Sequence, residues 1–444
     1  MRPISRRLLL GGSAALAVAA TLAACSNGSS SSSGSDNGVY LLNFKPEAEE
    51  ALKTIASAYK DKTGVEVKVV TAASGTYQQT LQTEVAKSNP PTIFNINGPV
   101  GLVTWKDYAL DLSGTEFVKA LTDSSMALTD EDGVVYGSPL GIEGYGLIYN
   151  AAILNKYFAM EGAKATSVDE IKGFDKLKEV VEDMQARKAD LGIEGAFACT
   201  SLASGEDWRW QTHLANYPVF YEFRDKGVTD AKEIALTYSD NYKQIFDLYL
   251  NNSTVAPSAA AAKTVTDSMA DFALGKCAFV QNGNWAWSQI SEVEGNTVAE
   301  GDIHFMPIYI GVSGEEKSGI ALGTENYLAV NSQVSETAQK ASIDFLTWLL
   351  TGEGAKMLVD NSVVSVSPYP AFSELTPADP LGKETAQFLA NKELYPINWV
   401  FQTFPSQEFK NQLGSHLAQY ASGQEDWSAV KDYFVSAWKS EKSA

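Results

Sequence analysis

Cysteine and histidine are scarce in this 444-residue chain, with three of each. Three cysteines (Cys25, Cys199, Cys277) exclude a disulfide-rich scaffold and a cysteine-based metal module. Three scattered histidines (His213, His304, His416) offer no metal cluster, so neither a metal nor a cofactor is expected. Positive charge is also short: 34 Lys and Arg stand against 54 Asp and Glu, a formal net charge of −20. Nothing supplies the clustered cations that neutralise nucleic-acid phosphates. Catalytic and cofactor motifs are missing too, with no Walker loop, no G-x-G-x-x-G after a strand, no H-E-x-x-H and no G-x-S-x-G. Paired carboxylates such as Glu49-Glu50 and Glu315-Glu316 would serve a glycosidase only if the fold set two across a cleft; solvated surface is the default. What remains is globular, 45% hydrophobic, 11% aromatic and 20% charged. That is too apolar for a disordered chain and too polar for a multi-span transporter. At this length two domains or lobes are expected rather than one core.

The first residues read as an address. Arg2, Arg6 and Arg7 precede an uncharged stretch from Leu8 to Ala24, which predicts a secretory signal over 1–24. It ends Leu22-Ala23-Ala24-Cys25, the pattern of a bacterial lipobox, whose cysteine receives diacylglycerol. Ser5-Arg6-Arg7-Leu8 resembles a twin-arginine export signal, with a generic secretory signal as the alternative. Residues 25–38 then form the lipidated cysteine and a Ser/Gly tether, with a root-mean-square reach of roughly 20 Å. The expectation is an extracytoplasmic body held to the cell membrane through Cys25 alone.

Folding signals begin at Val39. Strands are expected at 39–44, 65–70 and 92–96, with helical stripes at 47–60 and 77–88 between them. This β-α-β-α-β order predicts a parallel, doubly wound sheet. A second sheet is expected from 146–150, 196–200, 276–281 and 327–331, with long helices at 169–188, 239–250 and 338–350. Ligands of such sheets sit beyond the carboxyl ends of the strands. Strand-end position therefore makes Lys45, Glu47, Tyr77 and Asn97 candidate ligand contacts. Cys199 and Cys277 lie in apolar runs, as buried thiols by default or as a disulfide.

The run Gly275-Lys276-Cys277-Ala278-Phe279-Val280-Gln281-Asn282-Gly283-Asn284-Trp285-Ala286-Trp287 resembles the G-x-x-A-hydrophobic-x-x-N-G-x-W-A-W segment of sugar-type (family 1) extracellular solute-binding proteins of ABC importers. Pro139 to Asn150 is similar to that family's first crossover between lobes. Tyr327 to Asn331, followed by Ala338 to Asp360, resembles its returning strand and helix. Asn284 departs from the proline of maltose-type receptors, and Cys277 from a small residue. The family's last aromatic motif has only Trp399, Phe401 and Phe404 as candidates.

The resemblance implies an α/β, two-lobe, periplasmic-binding-protein-like fold, each lobe a mainly parallel sheet flanked by helices, with the ligand cleft between lobes. Residues 39–141 and 320–375 would form the first lobe, and 142–319 and 376–444 the second. Hinge glycines Gly141, Gly144 and Gly323 would absorb dihedral change at the crossovers near 141–144, 320–326 and 376–380. The implied function is that of a monomeric, non-enzymatic receptor that captures a carbohydrate, an oligosaccharide first of all, for ABC permease subunits. The alternatives are a non-sugar solute and, less favoured, a surface glycosidase. Trp285 follows the glycine turn as the expected stacking aromatic, and Glu143 corresponds to a ligand-contacting glutamate. Trp208 and Trp210, in Gly205-Glu206-Asp207-Trp208-Arg209-Trp210, are further stacking candidates, and Glu325 and Trp399 complete the set. Trp287 and Trp348 are expected to pack. Little basic character near this site argues against strongly anionic ligands.

Overall fold

The computed structural model describes residues 38–73, 75–199 and 201–443; the signal stretch, Cys25 and the tether lie outside them. Strands β1 (Val39–Asn43), β2 (Val67–Thr71) and β3 (Ile93–Asn97) alternate with helices Glu49–Thr63 and Tyr77–Val85. β1 pairs in parallel with both β2 and β3, as the alternation requires. Val39-Tyr40-Leu41-Leu42-Asn43 is buried throughout, the signature of a strand covered on both faces. β4 (Leu128–Thr129) and β5 (Val135–Pro139) extend the same sheet. The chain then runs through three residues into β6 (Glu143–Asn150), the centre of a second sheet. That sheet adds β7 (Phe279–Gly283), β8 (Ile303–Met306), β9 (Ser318–Gly323) and β11 (Tyr395–Asn398), while β10 (Asn326–Val330) returns to the first.

The α/β architecture with two helix-flanked sheets is as expected, but the sheets are mixed rather than mainly parallel. β6 is antiparallel to β7, β8 and β9, and β10 is antiparallel to β3 and β5. The reason is how the two strands arrive. β6 and β10 each enter a sheet directly from the other one, so they start where the neighbouring strands end. Tyr327 to Asn331 thus belongs to the first sheet, correcting its expected place in the second. The expected crossing at 320 falls inside β9, and the chain changes sheet at Thr324–Glu325. Ala196 to Cys199 forms no strand; Phe197 makes only single parallel bridges to Ser253 and Phe279. Cys199 and Cys277 are both buried, no disulfide joins them to each other, and burial pushes the Cys199 thiol up to about 12.

Each sheet buries both faces. Leu41, Ile93, Leu328 and Val330 share one core with helix Glu336–Thr351, while Leu42, Phe94, Ile96 and Ala329 lie in another. In the second sheet Tyr145, Leu147, Phe279 and Ala321 face the largest core, which also takes Phe409, Phe434 and Trp438 from the C-terminal helices Gln407–Ala421 and Trp427–Lys442. Phe404 packs there against Phe409 and Trp438. Ile148, Val280 and Ile320 face the other side, where Trp287 packs.

One ion pair in this region gives a pH test. His304 Nδ1 lies 2.6 Å from Glu384 Oε1, which ties β8 to helix Pro380–Ala390. The hydrogen bond to Glu384 raises the imidazole above its ordinary value, against the opposing pull of burial. Its stabilising contribution is complete below about pH 6.5 and is lost as pH rises through the raised folded value. His304→Gln should therefore lower the melting temperature more at pH 5 than at pH 9. Equal losses at both would refute the coupling.

Candidate functional site

The strand directions bring the carboxyl ends of β1, β3, β7, β9 and β11 to one region between the sheets, where β6 and β10 begin. Lys45, just past β1, forms an ion pair with Glu143, the first residue of β6, and their side chains are 11% and 14% exposed. Burial alone would push the Lys45 ammonium down. The carboxylates of Glu143, Glu47 and Glu325 outweigh it and hold the group above its ordinary value. Glu47 itself is exposed.

Beside this pair stands an aromatic cluster built around His213. Tyr145 stacks on the imidazole at 4.2 Å and 9°, while Trp399 and Phe401 meet it edge-on at 4.9 and 4.8 Å. Trp208 and Trp285 approach it at 5.3 and 5.9 Å and lie 5.9 Å from each other, tilted by 47°. These two indoles keep part of their surface open, whereas Trp399 is buried. Burial first, then Arg209 and Lys410, hold His213 well below the usual imidazole range, so it is neutral. Lys45 Nζ sits 5.7 Å from the Trp285 ring centre, joining the charged and aromatic halves.

Glycine makes room for both indoles at the strand ends. A Cβ on Gly283 would lie 2.2 Å from Trp285 Cη2, and one on Gly323 would lie 2.5 Å from Trp399 Cγ. Gly141 and Gly144 are crowded too, a Cβ at either lying 2.7 Å from Val364 Cγ1 or Thr385 Oγ1. None of the three expected hinge glycines has a positive φ, so close packing, not a special backbone conformation, requires glycine at each. Asn284 earns its departure from proline: its N–H donates to the Gly144 carbonyl at 3.0 Å, its Oδ1 accepts from Gly144 N–H at 3.0 Å, and its Nδ2 donates to Ser365 Oγ at 3.1 Å. A proline could make none of these bonds. Lys45, Gly141, Glu143, Asn284, Asn326 and Ser365 line a small recess at the crossovers.

Of the residues singled out in the sequence, the fold gathers Lys45, Glu47, Glu143, Trp208, Trp285, Glu325 and Trp399 around this region. Glu325 lies 3.8 Å from Lys410 Nζ, and its carboxyl is raised by burial. Asn97 ends β3 and accepts from Gln78 Nε2 at 3.1 Å. Two expectations need correction. Tyr77 is buried edge-on against Phe44, and its hydroxyl accepts from Asn95 N–H at 2.7 Å, so it serves the core of the first sheet. Trp210 is fully buried against Phe246 and Tyr249 in the second core. The expected shortage of basic groups is also wrong, because Lys45, Arg209 and Lys410 all converge here. Arg209, His213, Tyr145 and Lys410 went unread. Only Arg209 carried a signal, as a cation between two tryptophans. The carboxylate pairs are structural or exposed: Glu315 accepts backbone N–H groups of Phe174, Ile310 and Gly311, and Glu49 and Glu50 pair with Lys53.

The model of the bacterial extracellular solute-binding protein family matches residues 54–383. The chain belongs to this family. Its members are extracytoplasmic binding proteins, and no helix among the described residues of this solute-binding protein is long and apolar enough to cross a membrane. Solved structures of the same fold include a chitin oligosaccharide binding protein, 18% identical, with a TM-score of 0.69 over 92% of this chain and 99% of that one. Another is the solute-binding protein RafE in complex with raffinose, 16% identical, with a TM-score of 0.69 over 91% and 99%. A sugar transporter protein from Bacillus licheniformis in complex with stachyose is 16% identical, with a TM-score of 0.62 over 91% and 99%. No curated protein matches the sequence of this solute-binding protein.

Proposed function

We propose that this solute-binding protein captures a carbohydrate between its two sheets and delivers it to the permease of an ABC importer. The observation that carries the reading is the partly open pair Trp208–Trp285 at the strand ends, flanked by Lys45, Glu47 and Glu143. A pyranose has a C–H face that stacks on indole and a hydroxyl rim that charged side chains satisfy. The solved relatives bound to raffinose and stachyose support the same ligand class. In this reading residues 39–141 and 324–375 form one lobe and 142–323 and 376–444 the other. The protein acts as a monomer and does no chemistry. A thermal-shift screen over mono- and oligosaccharides tests it, because a ligand at 100 times its Kd adds about 2.7 kcal/mol. Chromatography of the same mixtures should show unchanged saccharides. A shift with amines or peptides and with no sugar would overturn the carbohydrate reading, and new products would overturn the binding role.

The location follows from Leu22-Ala23-Ala24-Cys25, which lies outside the described residues. Lipid on Cys25 and the Ser/Gly tether would hold the protein at the outer face of the cell membrane. Cys25→Ser should release the protein into the medium, as read by fractionation. Full membrane retention of the variant would refute the anchor.

A further inference from the structure

Arg209 is the one cation of this region without a carboxylate at ion-pair distance among the described residues. It opens the π-helix Arg209–Leu214 and is 2% exposed. Its guanidinium stacks 3.9 Å over Trp208, and its Nε–H donates to Asn282 Oδ1 at 3.1 Å. No other hydrogen bond of this fork is made among the described residues, which leaves its four Nη N–H groups. The other two cations differ: Lys45 has Glu143, and Lys410 has Glu325 at 3.8 Å. The two carboxylates nearest in influence to Arg209 are Glu206 and Glu47. Glu206 already accepts from the Val265 N–H, and Glu47 is exposed and forms no ion pair with Arg209. Burial pushes the guanidinium down to about 10, still charged at neutral pH. A buried charge without a partner is costly, and a planar fork matches a carboxylate in two parallel hydrogen bonds, which a single hydroxyl cannot supply.

We propose that Arg209 selects a saccharide bearing a carboxylate, a uronic-acid-type sugar, whose acid group docks on the Nη edge while a ring lies against Trp285. The inference rests on the carbohydrate reading above and names the ligand class for that same site. The test uses the unmodified protein first. Oligogalacturonides and glucuronate-containing disaccharides are titrated beside their methyl esters, which keep the ring and remove the charge. At least one acid should bind about 10- to 100-fold tighter than its ester. Arg209→Gln should abolish that preference while weak binding of the ester persists. Arg209→Lys, which keeps the charge without the fork, should retain only part of it, and melting curves of both variants confirm folding. Equal binding of acids and esters, or preference for neutral saccharides, overturns the role of Arg209 and leaves the carbohydrate reading standing. Binding of no saccharide, acidic or neutral, overturns both.

Discussion

Trp285→Ala is expected to weaken saccharide binding by about 2–4 kcal/mol, roughly 30- to 1,000-fold, as loss of a central aromatic anchor does. Its indole is held by Gly283 beneath it and by Tyr145, Trp208 and His213 around it, so it enters the complex already ordered. Gly283→Ala tests that geometry without touching the indole. The new Cβ would sit 2.2 Å from the Trp285 ring, which must then leave its place. Affinity should fall nearly as far as in Trp285→Ala. Trp287, two residues on, is partly buried against the core that holds Ile148, Phe272 and Ile290. Trp287→Ala should therefore lower the melting temperature more than the affinity. Calorimetric titration and thermal melts of the three variants decide the matter. Normal affinity in Trp285→Ala would show that the ligand lies elsewhere.

The second large effect concerns Lys45 and Glu143. The pair links the end of β1 to the start of β6, so it spans the two sheets, and both side chains are mostly buried. Removing either partner leaves the other charge poorly compensated. Glu143→Gln leaves Lys45 with Glu47, which is exposed, and Glu325, which is shared with Lys410. Each single change should weaken the contact between the sheets and raise the radius of gyration of the ligand-free protein in small-angle scattering. A double-mutant cycle with Lys45→Met should return a coupling of about 1–3 kcal/mol in unfolding free energy. Coupling near zero, with an unchanged scattering profile, would mean that the pair does not hold the cleft. Glu143→Gln should also cost about 1.5–3 kcal/mol of saccharide binding, because an ionised acceptor is lost.

The sequence by itself determined the α/β class, the first three strands and their parallel order, and the common side on which those strands end. Those are properties of consecutive residues: apolar runs, helical stripes and glycine turns have fixed periods, and parallel strands joined by helices must end on one side. The motif around Gly283 and Trp285 was legible for the same reason. What the chain could not disclose was which candidates meet. Lys45 and Glu143 are 98 residues apart, and only the direct passage from β5 into β6 places them together. Trp208 and Trp210 are two residues apart, yet two steps along a helical turn carry side chains to opposite sides. One therefore lies under Arg209 at the strand ends and the other fills the core. Tyr77 stands at the right end of its sheet, but its hydroxyl is taken by a backbone N–H of β3. Arg209 shows the limit most clearly. A single arginine has no period and no spacing to read, and its meaning comes from being buried beside Trp208 and Asn282 with no carboxylate at ion-pair distance among the described residues, which is a property of the packed interior alone.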